Sequence, residues 1–183
     1  MNPDRIVELF PEFNEIQDAK LRRKAVEATI LAIREGGWAE EDLPKAPTTV
    51  NWDCPTNLVE HVRTVTRVCI RNYEELAPFY AANGVAFDRD TVVCGALLHD
   101  LGKWTEFCCR DGKVCHSDTF QLMRHPLSGA ILADRAGLPK KIVHLIATHS
   151  FEGEKSYQTA ESAFVRAIDD FVFRCSISGL QKK

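Results

Sequence analysis

No apolar run in this 183-residue chain approaches the roughly 18 residues that a membrane-spanning helix needs. The first ten residues also lack the basic stretch followed by an apolar one that marks a secretory signal. Acids and a proline stand there instead. The expected location is therefore cytoplasmic. An excess of positive charge is missing too: 23 Lys and Arg stand against 26 Asp and Glu, for a net charge of −3. That balance speaks against a non-specific grip on nucleic acid or on an anionic membrane, and neither is expected as a partner. It does not exclude an anionic substrate, because a bound cation supplies its own local positive charge. There is no internal repeat, no low-complexity tract and no strand-rich region. The seven cysteines are odd in number and irregularly spaced. In a cytosolic chain they are read as reduced, small hydrophobes, with Cys69 and Cys94 on apolar helical faces. Cys109, Cys115 and His116 lack the paired C-x-x-C of a zinc knuckle.

What is present is helical periodicity, which makes the chain all-α and long enough for one real core. Residues 15 to 35 place Ile16, Ala19, Val26, Ile30 and Ile33 at helical spacing, and Gly36-Gly37 stops them. Leu43 to Pro55, with three prolines, reads as a linker. The chain thus divides into an N-terminal helical extension and linker, 1–52, and a main domain, 53–180. Thr56 is taken as the N-cap of a long helix to Leu76, limited by Pro78, with Leu58, Val62, Val65, Cys69 and Tyr73 on one stripe. Asp88 caps the next helix, a deeply apolar one that ends near Gly102. Residues 107–116 read as a small hairpin around Asp111-Gly112, suited to act as a flap. Pro126 opens a helix at its first position that runs to Arg135, and Gly137 ends it. Pro139 opens another, and the last runs from about Ala160 to Ile177. Between these two, residues 150–158 form a polar loop that lines an entrance, with Glu152 and Lys155 solvated.

The sharpest feature is Leu97-Leu98-His99-Asp100-Leu101-Gly102-Lys103. An imidazole and a carboxylate follow a buried apolar run, and burying both without partners is costly. A divalent cation removes that cost, since it takes nitrogen and oxygen ligands together. The bland alternative is a helix C-terminus whose histidine and lysine favour the dipole. Six histidines are present: 61, 99, 116, 125, 144 and 149. Of these, His116 is read as an ordinary loop residue and His144 as an accessory or surface histidine.

At this point the chain resembles the HD-domain superfamily of metal-dependent phosphohydrolases, over roughly residues 55 to 175. The family pattern is a histidine, a His-Asp pair and a distant aspartate, with two further histidines in members that hold two metals. The pair matches His99-Asp100 in HDLGK. The first histidine matches His61 in LVEHV, and the extra two match His125 in RHPLSGA and His149 in IATHS. The last aspartate is Asp169 or Asp170. Helix geometry, at about 100° per residue, puts Phe164, Val165, Ile168, Phe171 and Val172 on the buried face, Asp169 on its flank and Asp170 opposite. Asp169 is therefore preferred, with Asp170 a solvated charge paired to Arg166. Where the family usually has alanine before this ligand, the chain has Ile168.

The resemblance implies an HD-type helical bundle and a pair of divalent ions, with Fe, Mn, Zn, Ni, Co and Mg all open. His61, His99, Asp100 and Asp169 would hold one ion. Asp100, His125 and His149 would hold the other, with Asp100 bridging and central to catalysis. Lys103 is the candidate for catalytic and substrate contact with a phosphate, and Arg124 a further substrate-binding candidate. The expected substrate is a small phosphate ester such as a nucleotide. The same ligand set also occurs in di-iron members of the superfamily that oxidise a substrate with dioxygen, which stands as the alternative. A fold that binds without turnover is a third reading. Oligomeric state is not legible.

Overall fold

A computed structural model describes residues 1–110 and 112–182. Its helices are α1 (Pro3–Leu9), α2 (Ala19–Glu35), α3 (Leu58–Ala82), α4 (Arg89–Leu98), α5 (Lys103–Glu106), α6 (His125–Arg135), α7 (Lys140–Thr148) and α8 (Ala160–Ile177). Short 3-10 turns occupy Pro11–Glu15, Glu40–Lys45 and Phe151–Gly153. The only sheet among the described residues is a hairpin of β1 (Phe107–Arg110) and β2 (Lys113–His116). The chain is thus all-α with one small hairpin, as its periodicity predicts. The expected turn residue Asp111 lies outside the described residues, while Gly112 has the positive φ of 73° that glycine adopts without strain.

Local chemistry explains most boundaries. Asn57, not Thr56, caps α3. Its side chain accepts from the Glu60 amide, and the Glu60 carboxylate accepts from the Asn57 amide in return. Pro78 does not limit α3, which runs on to Ala82 with the proline inside it. Asp88 caps α4 through the Thr91 amide, as expected. The expected helix at 15–35 begins instead at Ala19, because Asp18 accepts from the Lys20 and Leu21 amides. Pro126 is the second residue of α6, after His125.

The N-terminal segment is not peripheral. Ile6, Phe10, Phe13 and Ile16 are buried in the same cluster as Leu97, Leu98, Leu101 and Trp104. The Gln17 and Asp18 amides donate to the Asp90 carboxylate at 2.8 and 2.7 Å. These contacts wedge the Pro11–Glu15 turn and the start of α2 against α4, the helix that delivers the His-Asp pair. On the other side α4 packs against α3, α7 and α8. Gly102 decides how near α6 can come: a Cβ there would lie 2.1 Å from the His125 carbonyl oxygen and 2.4 Å from Ser128 Oγ. Opposite it, a Cβ on Gly129 would lie 2.9 Å from the Gly102 nitrogen. Two facing glycines therefore let the start of α6 bring His125 up against the end of α4. No described helix is long and apolar enough to cross a membrane.

Candidate metal centre

Five helices converge on Asp100. His61 comes from the first turn of α3, and His99 and Asp100 leave the end of α4. His125 begins α6, His149 caps the end of α7, and Asp169 lies mid-way along α8. All but Asp169, which is partly exposed, are buried.

Two trios of ligand atoms form, His61, His99 and Asp169 in one and Asp100, His125 and His149 in the other, each within 4.8 Å of one another. Asp100 joins them. Its Oδ2 lies 3.5 Å from His61 Nε2 and 3.3 Å from His99 Nε2. Its Oδ1 lies 3.5 Å from both His125 Nε2 and His149 Nε2. Asp169 Oδ1 lies 3.0 Å from His61 Nε2 and 3.4 Å from His99 Nε2.

Tautomers follow from the outer partners. His99 Nδ1 meets the Ala96 carbonyl and His149 Nδ1 the Ile146 carbonyl, each at 2.7 Å. A carbonyl only accepts, so both Nδ1 atoms carry hydrogen, and either ring in its neutral form turns an Nε2 lone pair inward. His125 Nδ1 donates likewise to the buried Glu106 carboxylate at 2.9 Å. Three inward lone pairs therefore face the lone pairs of one carboxylate, which repels unless a proton or a cation lies between. The metal-free answer is a proton: burial opposes a charge on His99, but Asp100 and Asp169 push its pKa up to about 10. Burial alone wins at His61 and His125, whose pKa values fall despite the neighbouring carboxylates. Burial would raise Asp100, but Lys103 and His99 hold it well below the usual carboxylate range. Asp169 is lowered too, against its burial, by His99 and His61.

The donor set fits cations. Ligand atoms about 2.1 Å from one ion stand about 3.0–3.4 Å apart at octahedral to tetrahedral angles, close to the spacings found here. Asp100 Oδ2 is buried without a hydrogen-bond donor. Lys103 Nζ approaches it to 2.8 Å, an ion pair outside hydrogen-bonding geometry, and donates instead to the Thr48 carbonyl at 2.8 Å. Neutral nitrogen and carboxylate ligands with imidazole N–H groups held from outside are the usual outfit of a divalent site.

Two clefts open onto this cluster. One, of about 270 Å³, is lined by Trp52, Phe107, His116, Phe151 and Phe173 with Lys103, Arg124 and Asp100 on its polar side. The other, of about 620 Å³, is bounded by His149, Asp169, Arg166 and Arg174. Ser150 and Phe151 line both, as the expected entrance loop requires.

The structure places each expected residue, and some expectations need correction. Arg124 does line the narrower cleft, but its guanidinium is engaged: Nη1 donates to Glu106 at 2.7 Å and Nε to Glu152 at 3.2 Å. Glu152 is thus paired rather than simply solvated. His116 is no ordinary loop residue; it ends β2, stacks on Phe120 with centroids 3.8 Å apart and walls the cleft. The 43–55 linker supplies Thr48 and Trp52 to the site. On α8, Phe171 is exposed, and Phe173, four residues after Asp169, takes the face toward the site, edge-on to His61. Asp170 is exposed as expected, but it pairs with Arg174 at 2.6 Å, not with Arg166. His144 joins neither trio and rests against Tyr157. Glu106 was invisible to sequence reading: it belongs to no motif, and only the approach of α6 puts its carboxylate against the His125 amide and ring.

A family model described as "HD domain" matches residues 58–173. The chain belongs to the HD domain family. Among curated proteins, the dihydroneopterin 2′,3′-cyclic phosphate phosphodiesterase of Methanocaldococcus jannaschii is 29% identical over 160 residues. The match takes in 82% of this HD-domain chain but only 61% of that protein's length. No solved structure matches the chain.

Proposed function

We propose that this HD-domain protein hydrolyses a small phosphodiester, with His61, His99, Asp100 and Asp169 holding one divalent ion and Asp100, His125 and His149 a second. The observation that carries this reading is the division of Asp100: one carboxylate oxygen faces one histidine pair, and the other oxygen faces the other pair. Bound cations would supply a water of lowered pKa and neutralise charge growing on the phosphoryl oxygens. The chain's own groups do the rest. Lys103 is anchored by Thr48, so its ammonium faces the narrower cleft as a fixed point charge for a phosphate oxygen. Arg124, held by Glu106 and Glu152, positions the start of α6 and adds positive potential to the same wall. The aromatic walls of that cleft suit a flat heterocycle attached to the phosphate. The relative's named substrate, a pterin cyclic phosphate, has that chemistry, and it favours hydrolysis over the dioxygen alternative.

The test is turnover of a 2′,3′-cyclic phosphate bearing an aromatic heterocycle by protein loaded separately with Mn, Zn, Co, Ni, Mg or Fe. Hydrolysis that a chelator abolishes and the metal restores is expected. Full loading with two ions and no hydrolysis of any phosphodiester would remove the proposal. Consumption of dioxygen by the iron form would replace it with the oxygenase.

A further inference from the structure

The hairpin carries a feature that the metal centre does not use. In the β1–β2 ladder Phe107 faces His116, Cys108 faces Cys115, Cys109 faces Val114 and Arg110 faces Lys113. Side chains alternate across such a ribbon. Phe107, Cys109 and Val114 turn toward the core and, with His116, form the inner face. Cys108, Arg110, Lys113 and Cys115 form the outer one, on which Arg110 and Lys113 are exposed. The Cys108 and Cys115 sulfurs stand 3.2 Å apart.

Directly opposed residues of an antiparallel pair have Cα atoms about 4.5–5.5 Å apart, inside the roughly 4.4–6.8 Å window a disulfide spans. The backbone therefore need not move for the sulfurs to bond. We propose that Cys108 and Cys115 are a redox-modifiable site, a dithiol that closes reversibly to a cross-strand disulfide on the outer face of the flap. The oxidant is a small-molecule or protein disulfide. One thiolate of the pair attacks a sulfur of that disulfide and expels its other half as a thiolate. The remaining cysteine thiolate then attacks the mixed disulfide and expels the second half. The cysteines lose two protons and two electrons, and the oxidant becomes two thiols.

The site sits where closure has reach. The Ser117 amide donates to the Glu106 carbonyl at 2.9 Å and extends the ladder to the residue whose carboxylate holds His125. Phe107 and His116, the pair next to the dithiol, wall the narrower cleft. A covalent rung between them and the turn fixes that wall. Burial and the Cys115 thiol push the Cys108 pKa up to about 11, so attack by Cys108 is slow near neutrality and speeds up with pH.

The experiment uses the full chain and does not depend on its activity. Reduced protein holds seven free thiols. Incubation with oxidised glutathione should lower the titratable count to five, with peptide mapping showing one link, Cys108 to Cys115, that dithiothreitol reverses. The rate should rise about tenfold per pH unit up to the thiol pKa. In Cys115→Ser the reaction should stop at a glutathione adduct on Cys108. Retention of all seven thiols would overturn the proposal, as would losses at Cys54 or Cys175 without the cross-link. A Cys108–Cys109 link in the Cys115→Ser chain would also overturn it, by showing that register does not choose the partner.

Discussion

On the Oδ2 side of Asp100, a second carboxylate, Asp169, points straight into the cluster. On the Oδ1 side the second carboxylate, Glu106, stands one shell back, behind His125. His99 and His149 are local twins, each at the end of a helix with Nδ1 on the carbonyl three residues earlier. They satisfy a helix C-terminal carbonyl and aim Nε2 inward by the same geometry. Their neighbours differ. His61 has no partner on Nδ1, whereas His125 is held by a buried glutamate through both its ring and its amide. The difference teaches where each half keeps its negative charge. In the proposed two-ion site the Asp169 half places it among the ligands and should bind a cation strongly but orient His61 loosely. The Glu106 half places it behind the ligand and should depend on orientation.

The harshest way to break this comparison is to remove what both halves share. Asp100→Ala should lose most bound metal on both sides and lower turnover by at least about 10³-fold. Full metal content in that variant, read by elemental analysis, would deny Asp100 its bridging role. The comparison sharpens when the two outer carboxylates are neutralised separately. Asp169→Asn should cost one of two metal equivalents. Glu106→Gln should instead weaken one site by about 10–100-fold while leaving the other filled, the usual size of an outer-partner effect. Identical titration curves for the two variants would mean the halves are not distinct.

A pH experiment probes only the Asp169 half. In metal-free protein the His99 pKa stands at about 10, above the roughly 6.5 of an unfolded chain. A raised pKa stabilises the fold fully below the unfolded value and loses that contribution as pH rises through the folded one. The metal-free melting temperature should therefore fall between about pH 7 and 10. Metal-loaded protein should change less, since loading has already displaced the proton. Calorimetric titration near pH 7.5 in buffers of different ionisation heat should show about one proton released per His99 site filled. The smallest effect is expected at Asp170→Asn. That carboxylate is exposed and paired only with Arg174, so stability should move by no more than about 0.5 kcal/mol, and metal content not at all. A metal loss there matching Asp169→Asn would undo the assignment of the last ligand.

The α8 helix shows how far periodicity could carry the reading. The 100° step separated Asp169 from Asp170 correctly in exposure. It misplaced Phe171, because a helical wheel assumes one buried face, while the side of α8 that carries Phe171 is largely open to solvent. It also paired Asp170 with Arg166, although Arg174 offers the same spacing in the other direction. Spacing alone cannot choose between two arginines four residues away on either side.

The sequence by itself determined the elements and the inventory: where caps and glycines start and stop helices, that the chain is all-α, and which histidines and aspartates stand ready to ligate. These are local matters, settled by a side chain and its neighbours within a turn or two. Only the tertiary structure decided which lone pairs meet. It faced Gly102 with Gly129 to seat His125, swung Glu106 behind that ring, and brought Thr48 and Trp52 from a supposed linker to the cleft. It also set Cys108 against Cys115. Such meetings depend on how closely two backbones approach across the core, and no residue's own propensity encodes that distance.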